Sequence, residues 1–152
     1  MKKFLALLFV SVLFVSCDIT GEEIGRLPIN KLSIGYQHVF AKELTLDLKK
    51  GEEISIWSDM DVEFQGEIQT RFRVKVYKDK LPYDELDIDP FKSNFMMNEF
   101  SRTINGYTQT SFNAKNHVFT VKENGKYTFE GIYTPLDYSE LRVHKAELVF
   151  KK

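Results

Sequence analysis

Polar and apolar residues alternate along most of the chain. From Glu43 to Leu48, the leucines at 44, 46 and 48 share one face, and Glu43, Thr45 and Asp47 share the other. A period of two belongs to a β-strand, whose successive side chains point to opposite sides. Between Glu53 and Phe64 the apolar face is Ile54, Ile56, Met60, Val62 and Phe64; between Ile68 and Tyr77 it is Ile68, Phe72, Val74 and Val76. Lys49-Lys50-Gly51-Glu52 reads as a turn. Asn105-Gly106 predicts a tight hairpin between Phe100–Ile104 and Tyr107–Phe112, because both residues accept positive φ. Asn124-Gly125 predicts a second turn, joining His117–Val121 to Lys126–Tyr133. The last strand spans Leu141 to Phe150. Its apolar phase slips between Val143 and Ala146, which predicts a bulge near His144-Lys145. Pro28, Pro82, Pro90 and Pro135 fall where strands begin or end, as the missing N–H requires.

The pattern amounts to roughly eight to ten short strands with no amphipathic helix, the signature of an antiparallel β-sandwich or jelly roll. One pairing follows from parity. If Glu53–Phe64 and Ile68–Tyr77 form a hairpin and both bury their apolar faces in one core, the loop is Gln65-Gly66-Glu67 and Phe64 faces Ile68. On the outer side Asp61 then faces Arg71, Asp59 faces Arg73, and Trp57 faces Lys75, each pair adding about 0.2–1 kcal/mol.

The segment Phe119-x-Val121, Gly125, Tyr127-x-Phe129 resembles the closing strands of extracellular β-sandwich modules, including GOLD-like and jelly-roll accessory domains. That resemblance covers about a dozen residues and implies fold, not ligand.

The N-terminus is of another kind. Lys2 and Lys3 precede a 12-residue apolar run, Phe4 to Val15, interrupted only by Ser11. That is short of the about 20 residues a membrane-spanning helix needs, and it fits the apolar core of a signal peptide. Leu13-Phe14-Val15-Ser16-Cys17 resembles the lipobox of bacterial lipoproteins, with Phe14 at the position where that family prefers leucine. The resemblance implies that Cys17 receives a diacylglycerol, that cleavage falls before it, and that the new amine is acylated. The expected organisation is a signal peptide over residues 1–16, a lipidated cysteine and tether over 17–27, and a sandwich over 28–152. A flexible tether of about ten residues spans roughly 16–19 Å. Asp18 fits inner-membrane retention in enteric-type bacteria and surface export in other groups. The chain is therefore expected in the bacterial cell envelope, held to a membrane by lipid on Cys17, with the facing side open.

Composition adds limits. Of 152 residues, 43% are hydrophobic and 28% charged, including 13 Phe and 7 Tyr that favour strands. The net charge is −1, and without Lys2 and Lys3 it falls to −3. No basic face for nucleic acid is indicated. The one cysteine, Cys17, permits no intramolecular disulfide.

No catalytic, metal or cofactor motif stands out. His38, His117 and His144 lack zinc spacing. The acidic run Asp84, Glu85, Asp87 and Asp89 lacks the spacing and glycine of a calcium loop and reads as the wet face of an edge strand. Asp59, Asp61 and Glu63 match a glycosidase by residue type, but they alternate on an open face beside arginines. Trp57, the lone tryptophan, falls on a polar face. With Tyr77 diagonal to it, it is either a ligand platform or a residue covered by the Phe91–Met97 region. The expected function is a non-catalytic, membrane-anchored module that binds an envelope protein. The alternatives are a carbohydrate-binding module using Trp57, and a small hydrolase or protease inhibitor.

Overall fold

The computed structural model describes residues 20–137 and 140–152. Nine strands follow one another: β1 (Glu23–Pro28), β2 (Lys42–Leu48), β3 (Glu53–Gln65), β4 (Thr70–Lys78), β5 (Leu81–Ile88), β6 (Met96–Ile104), β7 (Tyr107–Thr120), β8 (Gly125–Pro135) and β9 (Leu141–Lys151). They form two antiparallel sheets. Sheet A has the order β1-β9-β3-β7-β6 and sheet B the order β2-β8-β4-β5. Without β6, the two sheets read β1-β9-β3-β7 and β2-β8-β4-β5, the strand order of a jelly roll, and β6 is an extra edge strand on sheet A. The all-β sandwich expected from alternation is what the chain forms.

The core lies between the sheets. Sheet A contributes Leu27, Ile54, Ile56, Met60, Val62, Ala146, Leu148 and Phe150; sheet B contributes Phe72, Val74, Val76, Phe129 and Tyr133, all buried. The rings interlock, with Phe129 and Phe150 at 4.8 Å and Phe72 and Tyr133 at 4.6 Å between centroids. Tyr133 donates its buried hydroxyl to Thr70 Oγ1 at 2.9 Å, and burial raises its pKa. Along the β1–β2 side the sheets approach so closely that a Cβ on Gly25 would lie 2.7 Å from Leu44 Cδ2.

Local expectations and the structure agree at several points. Asn105 and Gly106 have φ of 53° and 81°, the two positive angles of a type I′ hairpin turn joining β6 to β7. In β9, Asp61 pairs with Lys145 and Val62 with Val143, so His144 is the extra residue of a bulge. Asp84, Glu85 and Asp87 do lie exposed along β5, an edge strand.

Three expectations need correction. β3 and β4 are not a hairpin: β3 lies between β9 and β7, and β4 between β8 and β5. Both bury their apolar faces in one core, but from opposite sides of it, and parity cannot tell neighbours in a sheet from strands facing across a core. Likewise, the Asn124-Gly125 stretch does not make a hairpin. It carries the chain from sheet A to sheet B, with neither residue at positive φ. Finally, part of the segment expected as tether belongs to the sandwich. Residues 23–28 form β1, paired with β9, and Glu22 exchanges backbone hydrogen bonds with Lys152 at 2.9 Å each way. Cys17 and the segment expected to be a signal peptide lie outside the described residues.

Candidate functional site

The chain enters the sandwich at Glu22, beside its own C-terminus. The β2–β3 turn and the start of β3 lie at this end, since Ser55 pairs with Lys151. The segment after β1 emerges at the opposite end and makes the most distinctive surface feature. Asn30, at φ 52°, pins its base: its backbone N–H donates to Ala146 O, its side-chain oxygen accepts from Ala146 N, and its amide donates to Glu147. Leu32 then bridges Tyr133, and Ser33 N donates to Tyr133 O at 2.7 Å. Ile34 and His38 close a small antiparallel turn around Gly35, whose φ is 62°. The Phe40 N–H donates to Ser33 Oγ at 2.9 Å. This bonding holds four apolar side chains in the open: Ile34, Tyr36, Val39 and Phe40, with Tyr36 fully exposed at the tip. Lys31 Nζ lies 5.1 Å from the Phe40 ring centre.

Val39 of this loop forms one wall of a groove of about 580 Å³ on the outer face of sheet B. Ile132, Arg73, Lys75, Glu130, Glu85 and Asp87 also line it. Three strands set their positions: Arg73 lies between Asp87 and Ile132, and Lys75 between Glu85 and Glu130. Opposite charges thus face each other across strands. Yet among the described residues Arg73, Lys75, Glu85 and Glu130 close no ion pair within 4 Å; Asp87 has only Arg71, at 3.6 Å. The groove keeps both signs of charge available beside an apolar lip. A second hollow, of about 390 Å³, continues along β4 and β5 past Lys75 and Glu85 to the half-buried Tyr77.

The outer face of sheet A is arranged otherwise. Arg26 donates to Glu23 at 2.9 and 3.0 Å, to Asp59 at 2.9 Å and to Glu147 at 2.6 Å. Lys145 reaches Asp59 at 3.4 Å, and Arg142 meets Glu63 at 3.2 Å. The hydrogen bond to Glu23, joined by those to Glu147 and Asp59, raises the Arg26 pKa further. Gln109 Nε2 donates to Asp61 at 3.2 Å. The three carboxylates Asp59, Asp61 and Glu63 are therefore each held by a donor on a neighbouring strand.

Trp57 and Tyr77 do not share a platform. Trp57 points outward from β3 in sheet A and Tyr77 outward from β4 in sheet B, on opposite sides of the molecule. The indole is only 4% exposed. Phe95 stacks edge-on against it at 5.6 Å, and Lys151 Nζ lies 4.9 Å from its ring centre. The Phe91–Met97 region therefore covers it. Its Nε1–H is buried with no partner among the described residues. Of the histidines, His38 belongs to the exposed loop, His117 lies in β7 beside the irregular pairing at Trp57, and His144 is the β9 bulge residue.

Sequence reasoning passed over the Ile34–Phe40 loop, which has no alternation to reveal an element. The available signal was the density of apolar residues around Gly35 without a strand period. Comparison with protein-family models, with curated proteins and with solved structures finds no match to this chain.

Proposed function

We propose that the protein is a lipid-anchored, non-catalytic module of the bacterial envelope. It holds a protein partner against the outer face of sheet B, with the Ile34–Phe40 loop as the apolar lip. One observation carries this reading: a loop with four exposed apolar side chains, fixed by hydrogen bonds, sets one of them, Val39, against a groove where Arg73, Lys75, Glu85 and Glu130 close no ion pair among the described residues. Apolar anchors beside unsatisfied charges are what a specific protein contact uses, the first for affinity and the second for register and rate.

The anchor gives the site a direction. Cys17 precedes Glu22 by five residues, a reach of at most about 18 Å. With lipid on Cys17 the Glu22 end faces the membrane, and the loop at the other end faces away, toward partners. A labelled fatty acid is expected in the wild-type protein and not in Cys17→Ala.

The partner reading is tested by capture from solubilised envelopes with the wild-type protein and with a Tyr36→Asp/Val39→Asp variant. Specific captured species should fall at least tenfold with the variant at unchanged melting temperature. Equal capture by both would sink this reading.

Tyr77 beside the groove favours a second ligand class, a glycan stacked on that ring. Saturable glycan binding that is lost in Tyr77→Ala and kept in the loop variant would select it.

A further inference from the structure

Two of the four edge strands, β5 in sheet B and β6 in sheet A, differ over most of their length, the irregular Asn98-Glu99 stretch of β6 aside. β5 carries Pro82, a bulge at Tyr83 and three exposed carboxylates, Asp84, Glu85 and Asp87. Each of these devices discourages a further strand from pairing. β6 has neither proline nor lysine, and from Asn98 to Ile104 it is exposed throughout. Among the described residues only β7 pairs with it, so its other edge offers open N–H and C=O groups. An irregularity after Met97, with Asn98 at φ 54°, bounds the regular stretch to Phe100–Ile104.

We infer that this stretch of β6 is a strand-addition edge that takes an extended segment of a partner protein, with an acidic residue beside Arg102 and apolar residues flanking it. The side chains define that chemistry. Phe100, Arg102 and Ile104 share the outer face, because they pair with Ser111, Gln109 and Tyr107. Phe100 is 54% and Ile104 58% exposed. Between them the Arg102 guanidinium donates only to Gln109 Oε1, at 2.9 and 3.2 Å, and no carboxylate lies within 4 Å among the described residues. An unpaired cation between two apolar side chains is complemented by an apolar-x-acidic-x-apolar strand. On the other face Ser101 presents a hydroxyl, and the Thr103 hydroxyl, which shares a hydrogen bond with Thr108 at 2.9 Å, keeps acceptor capacity; both suit threonine or serine. Backbone bonds supply affinity in such additions and alternate side chains supply selectivity.

A second copy is the competing occupant, and the anchor argues against it. Antiparallel pairing of β6 with β6 turns one copy end for end. The two N-termini would leave in opposite directions, and with so short a reach both lipids could not enter one bilayer. The preference for a partner over a copy rests on anchoring at Cys17; the edge itself does not.

The test uses the mature full-length protein in detergent micelles and fluorescein-labelled peptides TVTETVT and TVTKTVT, read by anisotropy. The glutamate peptide is expected to bind saturably and at least fivefold more tightly than the lysine peptide. Arg102→Glu, with its melting temperature unchanged, should reverse that order. N-methylation of alternate residues should abolish binding when it falls on one edge of the peptide and spare it on the other. The proposal is overturned by no saturable binding, by indifference to Arg102→Glu, or by equal binding of the two methylated peptides. A protein that sediments as a dimer and becomes monomeric on Phe100→Lys would give the edge to a second copy instead. Fatty-acid labelling of Cys17 is read separately, so failure of the edge and failure of the anchor are distinguishable.

Discussion

The outer faces of the two sheets carry similar residues and use them differently. On sheet A, Arg26, Arg142 and Lys145 are bound to Glu23, Asp59, Glu63 and Glu147 across three strands, β1, β9 and β3. On sheet B, Arg73 and Lys75 lie directly opposite Asp87, Glu85 and Glu130, yet among the described residues neither closes an ion pair. Facing positions are therefore not enough. Arg26 sits on the outermost strand of sheet A and can fold inward over its neighbours, where Glu147 and Asp59 are partly shielded from water. The sheet B charges stand on an open floor, where hydration competes with pairing. On one face the charges are bound to one another; on the other Arg73, Lys75, Glu85 and Glu130 stay unpaired among the described residues, as the proposed contact requires.

Removing one cation from each face should break the comparison most sharply. Arg26→Leu leaves Asp59 and Glu147 without their principal donor. Solvent screening keeps the loss below the roughly 3–5 kcal/mol of a fully buried pair, and about 2 kcal/mol is expected in a denaturant titration. Arg73→Leu should change stability by no more than about 0.5 kcal/mol. If the two losses are equal, the division between a structural and an available face is wrong.

A smaller effect concerns the cover over sheet A. Trp57 is the only tryptophan, so its fluorescence reports that face alone. Wild-type emission should be blue-shifted and protected from quenchers. Phe95→Ala should shift it to the red and cost about 1 kcal/mol, the scale of an edge-on aromatic pair and its burial. Exposed emission in the wild type would return Trp57 to the list of ligand platforms.

The smallest effect is in pH. The hydrogen bond from Arg26 lowers the Glu23 pKa below 4.5. Lys152 does the same for Glu52, and the Lys126 backbone N–H lowers Asp79 below 3.8. A depressed carboxylate contributes stability above its unfolded pKa and loses it as pH falls through the folded one. Melting temperature should therefore hold as pH falls to about 4.5 and decline below it. Glu23→Gln should flatten part of that decline.

Much of the fold was legible because its signals are local. Alternation marked β2, β3, β4 and β9, Asn105-Gly106 marked its turn through φ alone, and the slipped phase marked the bulge at His144. The groove was not legible. Arg73, Lys75 and Glu130 become neighbours only because β4 and β8 pair, although more than fifty residues separate Lys75 from Glu130. The charges of β3 and β4 matched in register as written, but complementary charges recur on most strands, so that agreement could not select a partner. Arg71 takes Asp89 at 2.9 Å, and Asp59 takes Arg26.

For β2, β3, β4 and β9 the sequence by itself determined which residues form strands and which face goes inward, because both depend on neighbours two positions apart. Tertiary structure alone decided which sheet each strand joined, that Phe95 would cover Trp57, and that a loop without periodicity would hold Tyr36 and Val39 beside an open row of charge. A period of two reports a side, not a neighbour; the neighbour is chosen when two apolar faces close on one core and leave the outer residues to whichever strands lie alongside.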